Sequence, residues 1–220
     1  MRKEPFLFRL FQLVLGLVIV GIALYMILRA DIGLGPWDAL AMAISYHLPV
    51  TYGQAVQLIG AVILVIDLLL REKIGLGTLA DVLIVGGVID LMVYWDPMPV
   101  CETVPGICLV MIVAMLLLGV GQFLYMRAGL SCGPRDAMTV GVAKRLKKLS
   151  VGVMQSVIMV GVTAAALVMG GPIGIGTVVV AFLSGPAAQL VFRLCRFEPR
   201  DVCHEGMVQT LEQLKTLISR

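Results

Sequence analysis

Two arginine–aspartate pairs share one spacing: Arg29 and Asp38 stand nine residues apart, and so do Arg127 and Asp136. Each Asp lies in a Gly-Pro segment, Gly33-Leu34-Gly35-Pro36-Trp37-Asp38 in the first and Gly133-Pro134-Arg135-Asp136 in the second. Proline at the first helical position with Asp two residues on suits a helix start. Proline lacks the donor that would go unpaired there, and the carboxylate complements the positive end of the helix dipole. Helix N-termini also present free amides to anions. Gly33, Gly35, Pro36, Trp37, Asp38, Gly133, Pro134, Arg135 and Asp136, with Arg29 beside them, are therefore the candidate solute-binding residues. The plainer alternative is that the Asp residues cap their helices and that Arg29 snorkels to the membrane interface.

Asp81 and Asp90 fall inside an apolar run, where an ionised carboxylate at mid-membrane costs about 2.5 kcal/mol or more. They are the candidate ion-coupling residues. Thr78-Leu79-Ala80-Asp81 reads as a capping-box-like helix start, which would give Asp81 a local reason. Asp90 has no such reason, and nine residues at 100° each place it on the opposite helix face. Asp67 precedes Arg71 by four residues, so an ion pair along the helix is expected there. Gln54, Gln57, Gln122, Gln155 and Gln189 read as interhelical hydrogen-bonding groups.

Cys101, Cys108, Cys132, Cys195 and Cys203, with only His47 and His204, form no zinc pattern, so no metal or cofactor is expected. Cys101 and Cys108 lie where a disulfide is permitted, and the spacing leaves that open. No Ser-His-Asp or His-Glu-x-x-His arrangement is present, and the Gly-x-Gly-Thr blocks complete no nucleotide fingerprint; an enzyme is not expected. The lack of an ATP-binding motif likewise excludes a self-contained pump.

These residues are positioned by a chain of 220 residues that is 60% hydrophobic and 14% charged, with a mean hydropathy of +1.00. That excludes a water-soluble globular domain. Six apolar runs of about 20 residues, 6–28, 52–70, 74–95, 107–126, 151–169 and 173–194, each reach the length needed to cross a bilayer. With the N-terminus inside, every Lys and Arg except Arg29 falls on or beside the cytoplasmic side, while Asp31, Asp38, Asp96 and Glu102 fall outside or at the outer edges. That asymmetry places both termini in the cytoplasm. It also explains the net charge of +3 without nucleic acid as a partner; the bilayer and a small solute are the partners expected, with a homodimer or a membrane-protein partner left open.

The Gly-Pro segments recur at an offset of 98, together with Arg29-Ala30 and Arg127-Ala128. At an offset of 99, Thr51-Tyr52-Gly53 matches Ser150-Val151-Gly152, and Ile74-Gly75-Leu76-Gly77-Thr78 matches Ile173-Gly174-Ile175-Gly176-Thr177. Residues 1–100 and 101–195 are thus two repeats of three spans, and an odd span number demands opposite orientation in the membrane. Between the first and second spans of each repeat, 36–46 and 134–146 look helical yet too short to cross, as half-helices or re-entrant segments. Residues 196–220 form a cytoplasmic tail in which Met207, Leu211, Leu214 and Ile218 repeat at helical spacing. Where the first repeat carries Asp67, Asp81 and Asp90, the second carries Ala166, Val180 and Gln189. The fold expected is all-α and polytopic, with six transmembrane helices in two inverted-topology repeats.

The run Gly33-Leu34-Gly35-Pro36-Trp37-Asp38, Thr51-Tyr52-Gly53, Gly75-Leu76-Gly77-Thr78 and the stretch from Gly86 to Asp90 resembles the YczE/YitT-type group of bacterial integral membrane proteins. The second half departs, with Arg135 at the Trp position and Cys132 in the glycine-rich turn. The resemblance implies a small multi-pass protein of the bacterial inner membrane and no settled substrate. From the residues, the leading expectation is a secondary transporter of a small anionic or zwitterionic solute, working by alternating access of inverted halves, with proton or cation coupling. A non-transporting regulatory partner and a passive channel or lipid-handling protein are the alternatives.

Overall fold

The computed structural model describes residues 5–72, 74–100, 102–131, 133–145, 151–198, 205–207 and 210, apart from the side chains at 136, 140, 151 and 152. Among the described residues the chain forms helices α1 (Phe6–Ala30), α2 (Pro36–His47), α3 (Tyr52–Leu69), α4 (Leu76–Trp95), α5 (Val104–Ala128), α6 (Pro134–Arg145), α7 (Val151–Val168) and α8 (Ile175–Leu194), with no strand. Their lengths run 25, 12, 18 and 20 residues, and then 25, 12, 18 and 20 again. Helices α1, α3, α4, α5 and α8 are long and apolar enough to cross a membrane. Helix α7 occupies the fifth expected span, and its fully described part, Val153–Val168, is apolar but shorter. At 12 residues, α2 and α6 reach about 18 Å, short of a hydrocarbon core of about 30 Å.

Local sequence explains the helix starts. Thr51 and Gln54 close a capping box on α3: the Gln54 amide donates to Thr51 Oγ1 at 3.1 Å and the Thr51 amide to Gln54 Oε1 at 3.0 Å. Helix α4 begins at Leu76, earlier than the capping box expected at Thr78. The Thr78 hydroxyl instead reaches back to accept from the Gly75 amide at 3.4 Å, so Asp81 lies inside the helix rather than at its capping position. Thr177 accepts in the same way from the Gly174 amide at 3.1 Å.

Helices α1 and α5 pack closely and run antiparallel: Arg9 near the start of α1 donates to Ala128 O at the end of α5 at 2.8 Å. Midway, a Cβ on Gly16 would stand 2.8 Å from both Gly121 O and Tyr125 N, so the backbones touch there because no side chain intervenes. Around this pair α4 packs on α1 and α3, α8 packs on α5, α2 packs on α7, and α6 packs on α3. No comparable packing joins α7 to α8 among the described residues.

The two Gly-Pro loops share one backbone path. Asp31 and Gly129 have φ of 51° and 64°, and Gly33 and Ser131 have φ of 110° and 116°. Each loop docks on the other repeat's Gly-x-Gly-Thr helix start, with Gly176 N donating to Ile32 O at 2.7 Å and Gly77 N to Leu130 O at 2.8 Å. At the far ends of α2 and α6, His47 Nε2 meets Met169 O at 3.0 Å and Arg145 donates to Leu70 O at 2.6 Å. The short helices are thereby held at both ends by the opposite repeat.

Of the tail, Glu205 and Met207 donate backbone hydrogen bonds to Gly129 O and Ile74 O, each at 3.0 Å, and Glu205 pairs with the buried Arg9 at 2.9 Å. Leu211, Leu214 and Ile218 lie outside the described residues, as does Cys101 of the expected disulfide; Cys108 is an exposed free thiol.

Candidate functional site

The N-termini of α2 and α6 are brought together because each loop crosses to the opposite repeat. A Cβ on Gly35 would touch Val180 Cγ1 at 3.0 Å, and one on Gly133 would lie 3.7 Å from Asp81 Oδ2. Thus α8 faces the start of α2 through Val180, and α4 faces the start of α6 through the Asp81 carboxylate. Pro36 and Pro134 occupy the first helical positions and are buried.

Asp38 projects from the first turn of α2 and is 6% exposed. Its Oδ1 lies 3.8 Å from Arg135 Nη2, an ion pair too long for a hydrogen bond. The Arg135 guanidinium, 33% exposed, stands 5.4 Å from the centre of the Trp37 ring, a cation–π arrangement. Tyr52, at the start of α3 and also 6% exposed, is within electrostatic range of both charges. Among the described residues, neither Asp38 Oδ1 nor the Tyr52 hydroxyl has a hydrogen-bond partner. A carboxylate and a guanidinium therefore meet without a hydrogen bond between them, and the Tyr52 hydroxyl is buried unpartnered at the start of α3, in a setting where unpaired buried polar groups cost about 1–3 kcal/mol each.

The other expected residues have different places. Arg29 is clamped at the end of α4, donating to Met98 O at 2.7 Å and pairing with Asp96 at 3.0 Å, away from Asp38. Gly33 lies where its loop crosses the start of α8, 2.6 Å separating its Cβ position from Gly174 N. Asp90 accepts from the Thr51 hydroxyl and, at 2.8 Å, from the Gly53 amide, closing the start of α3 onto α4. Asp81 faces the start of α6 through Gly133. The side chain of Asp136 lies outside the described residues.

Asp67 makes no ion pair with Arg71. Helix α3 ends at Leu69 and Arg71 turns to a φ of 50°, so the residue four positions on has left the helix. The Asp67 carboxylate is 0% exposed, and neither oxygen has a hydrogen-bond partner among the described residues. No local motif marks Tyr52. The signal available was the mismatch within a repeated block, since Tyr52 stands where the second repeat has Val151.

Comparison with known proteins agrees with the membrane architecture. Residues 7–193 match the model of a family of unknown function, DUF6198. The chain is 30% identical over 172 residues to the uncharacterized membrane protein YczE of Bacillus subtilis, covering 77% of this chain and 79% of that one. It is 28% identical over 183 residues to an uncharacterized protein of Haemophilus influenzae, 83% and 82% of the two lengths. Over 173 residues it is 24% identical to the uncharacterized protein YyaS of Bacillus subtilis, 78% and 86% of the two lengths. No solved structure matches. The coverage takes in every helix from α1 to α8, and the chain belongs to the DUF6198 family, in which it is similar to the YczE-type membrane proteins.

Proposed function

We propose that the protein is a secondary transporter of a small anionic or zwitterionic solute in the bacterial inner membrane, and not an enzyme. In this reading six helices cross, α7 included, both termini are cytoplasmic, and α1–α4 and α5–α8 are inverted repeats that rock about the paired N-termini of α2 and α6. The repeated helix lengths, the matching loop dihedrals and the antiparallel course of α1 and α5 support the inverted relation. Broken helices with their N-termini aimed at a common site are how such folds hold charged solutes. The observation that carries the reading is the meeting of buried Asp38 and Arg135 across two half-helix starts at 3.8 Å, with Asp38 Oδ1 left without a hydrogen-bond partner among the described residues.

The test is uptake by proteoliposomes across a panel of labelled amino acids, carboxylates, phosphate esters and amines. At least one solute is expected to enter above the level of empty vesicles, with entry abolished in Asp38→Ala and Arg135→Ala and retained in Gly161→Ala, where the added methyl meets open space. Absence of uptake across the panel, or uptake unchanged in both site variants, would leave the regulatory-partner reading. Uptake that ignores an imposed ion gradient would indicate a passive path.

A further inference from the structure

Which charge the site accepts follows from what surrounds the two half-helix N-termini. A simple anion would be drawn by Arg135 and by the free amides but repelled by the buried Asp38 carboxylate beside them. A simple cation would be drawn by Asp38 and repelled by Arg135. The two face each other as an ion pair too long for a hydrogen bond, and a ligand carrying both signs gives each a hydrogen-bonded partner of opposite charge. Its charges must also be close together, because Asp38 Oδ1 and Arg135 Nη2 are 3.8 Å apart.

The space beyond the charges is apolar. Trp37 and, on α6, Met138 line a groove of about 280 Å³ together with Leu40 and Ile44 of α2 and Ile59 and Ile63 of α3. The same indole that carries the Arg135 guanidinium therefore also lines an apolar channel, so a ligand head held by the charges would place its remaining part there.

Resting on the reading of this region as a solute site, we infer that the ligand is an α-amino acid zwitterion with an apolar side chain. Its carboxylate binds the Arg135 guanidinium in the bidentate fashion that a planar fork favours. The ammonium donates to Asp38 Oδ1, the phenol of Tyr52 hydrogen-bonds to the ligand head, and the side chain enters the groove beside Trp37 and Met138.

The experiment is calorimetric titration of the purified full chain in mild detergent with L-leucine and with two analogues that each lack one charge, 4-methylpentanoate and 3-methylbutylamine. Saturable leucine binding is expected, with both analogues weaker by about thirtyfold or more, since leaving a buried charged group unpaired costs 2 kcal/mol or more. Tyr52→Phe, which removes one oxygen and no packing volume, is expected to bind leucine more weakly while unfolding at an unchanged or higher temperature. Equal binding of leucine and either analogue would overturn the proposal, as would absence of leucine binding by the wild-type chain. Leucine binding without leucine uptake would leave this assignment standing and remove the transporter reading; uptake of carboxylates without leucine binding would do the reverse.

Discussion

A carboxylate buried without a hydrogen-bond donor is tolerated only where another demand outweighs its cost. Asp38, through Oδ1 at the start of α2, and Asp67, through both oxygens, meet that description, and the Tyr52 hydroxyl at the start of α3 is likewise unpartnered among the described residues, whereas Asp90 does not, because two donors from the start of α3 satisfy it. Opposite outcomes are expected at these positions. Tyr52→Phe should change stability by no more than about 1 kcal/mol, in the stabilising direction if at all, because an unpaired buried hydroxyl is removed. Asp90→Ala should destabilise by about 2 kcal/mol, because two charge-assisted hydrogen bonds are lost and the Gly53 amide is left unpaired. Thermal unfolding in detergent reads both. Residue types alone pointed to Asp90 as the orphan and to Asp67 as paired; the partners that reverse this are Thr51 and Gly53, 39 and 37 positions away, and a helix end that takes Arg71 off the face of Asp67. Neither long-range pairing leaves a local pattern. Arg135 and Asp38 were legible because proline, glycine and Asp mark helix starts wherever they occur.

Among elements, the tightest joint is α1 against α5, where Gly16 and Gly121 let two backbones meet. Gly16→Leu is expected to destabilise by about 3 kcal/mol or prevent folding, since the atoms in the way are backbone and cannot turn aside. Gly161→Ala, on the open face of α7 with nothing within 4 Å, is the matched control and should leave the unfolding temperature unchanged or slightly raised. Five spans and both short helices were legible from apolar run length and from the Gly-Pro repeats, which act locally. The start of α4 at Leu76 was not, because Thr78 at the third position of the helix reaches back to the Gly75 amide, a geometry that reading Thr78 as the cap misses.

At the scale of the whole molecule the two repeats differ in one respect that bears on movement. Gln57 donates to Leu83 O at 3.0 Å across the α3–α4 seam, while the equivalent α7–α8 seam, with Ser156 and Phe182 at the matching positions, has no comparable packing among the described residues. If transport exchanges the arrangements of the two halves, a cross-link between Gln57→Cys and Leu83→Cys is expected to abolish uptake, and its reduction to restore it. The tail adds a strap through Glu205, and Glu205→Ala should lower stability by about 1–3 kcal/mol because the ion pair with Arg9, buried in α1, is lost. Blocks that match at offsets of 98 and 99 are legible in the sequence, whereas the docking of each loop on the opposite half of the chain emerges only from the packed chain. The most direct test of alternating access is labelling of a single cysteine, Tyr52→Cys in a chain otherwise free of cysteine, by a membrane-impermeant methanethiosulfonate applied to each face of oriented vesicles in turn. Modification from both faces is the predicted result; modification from one face alone, or from neither, would contradict it.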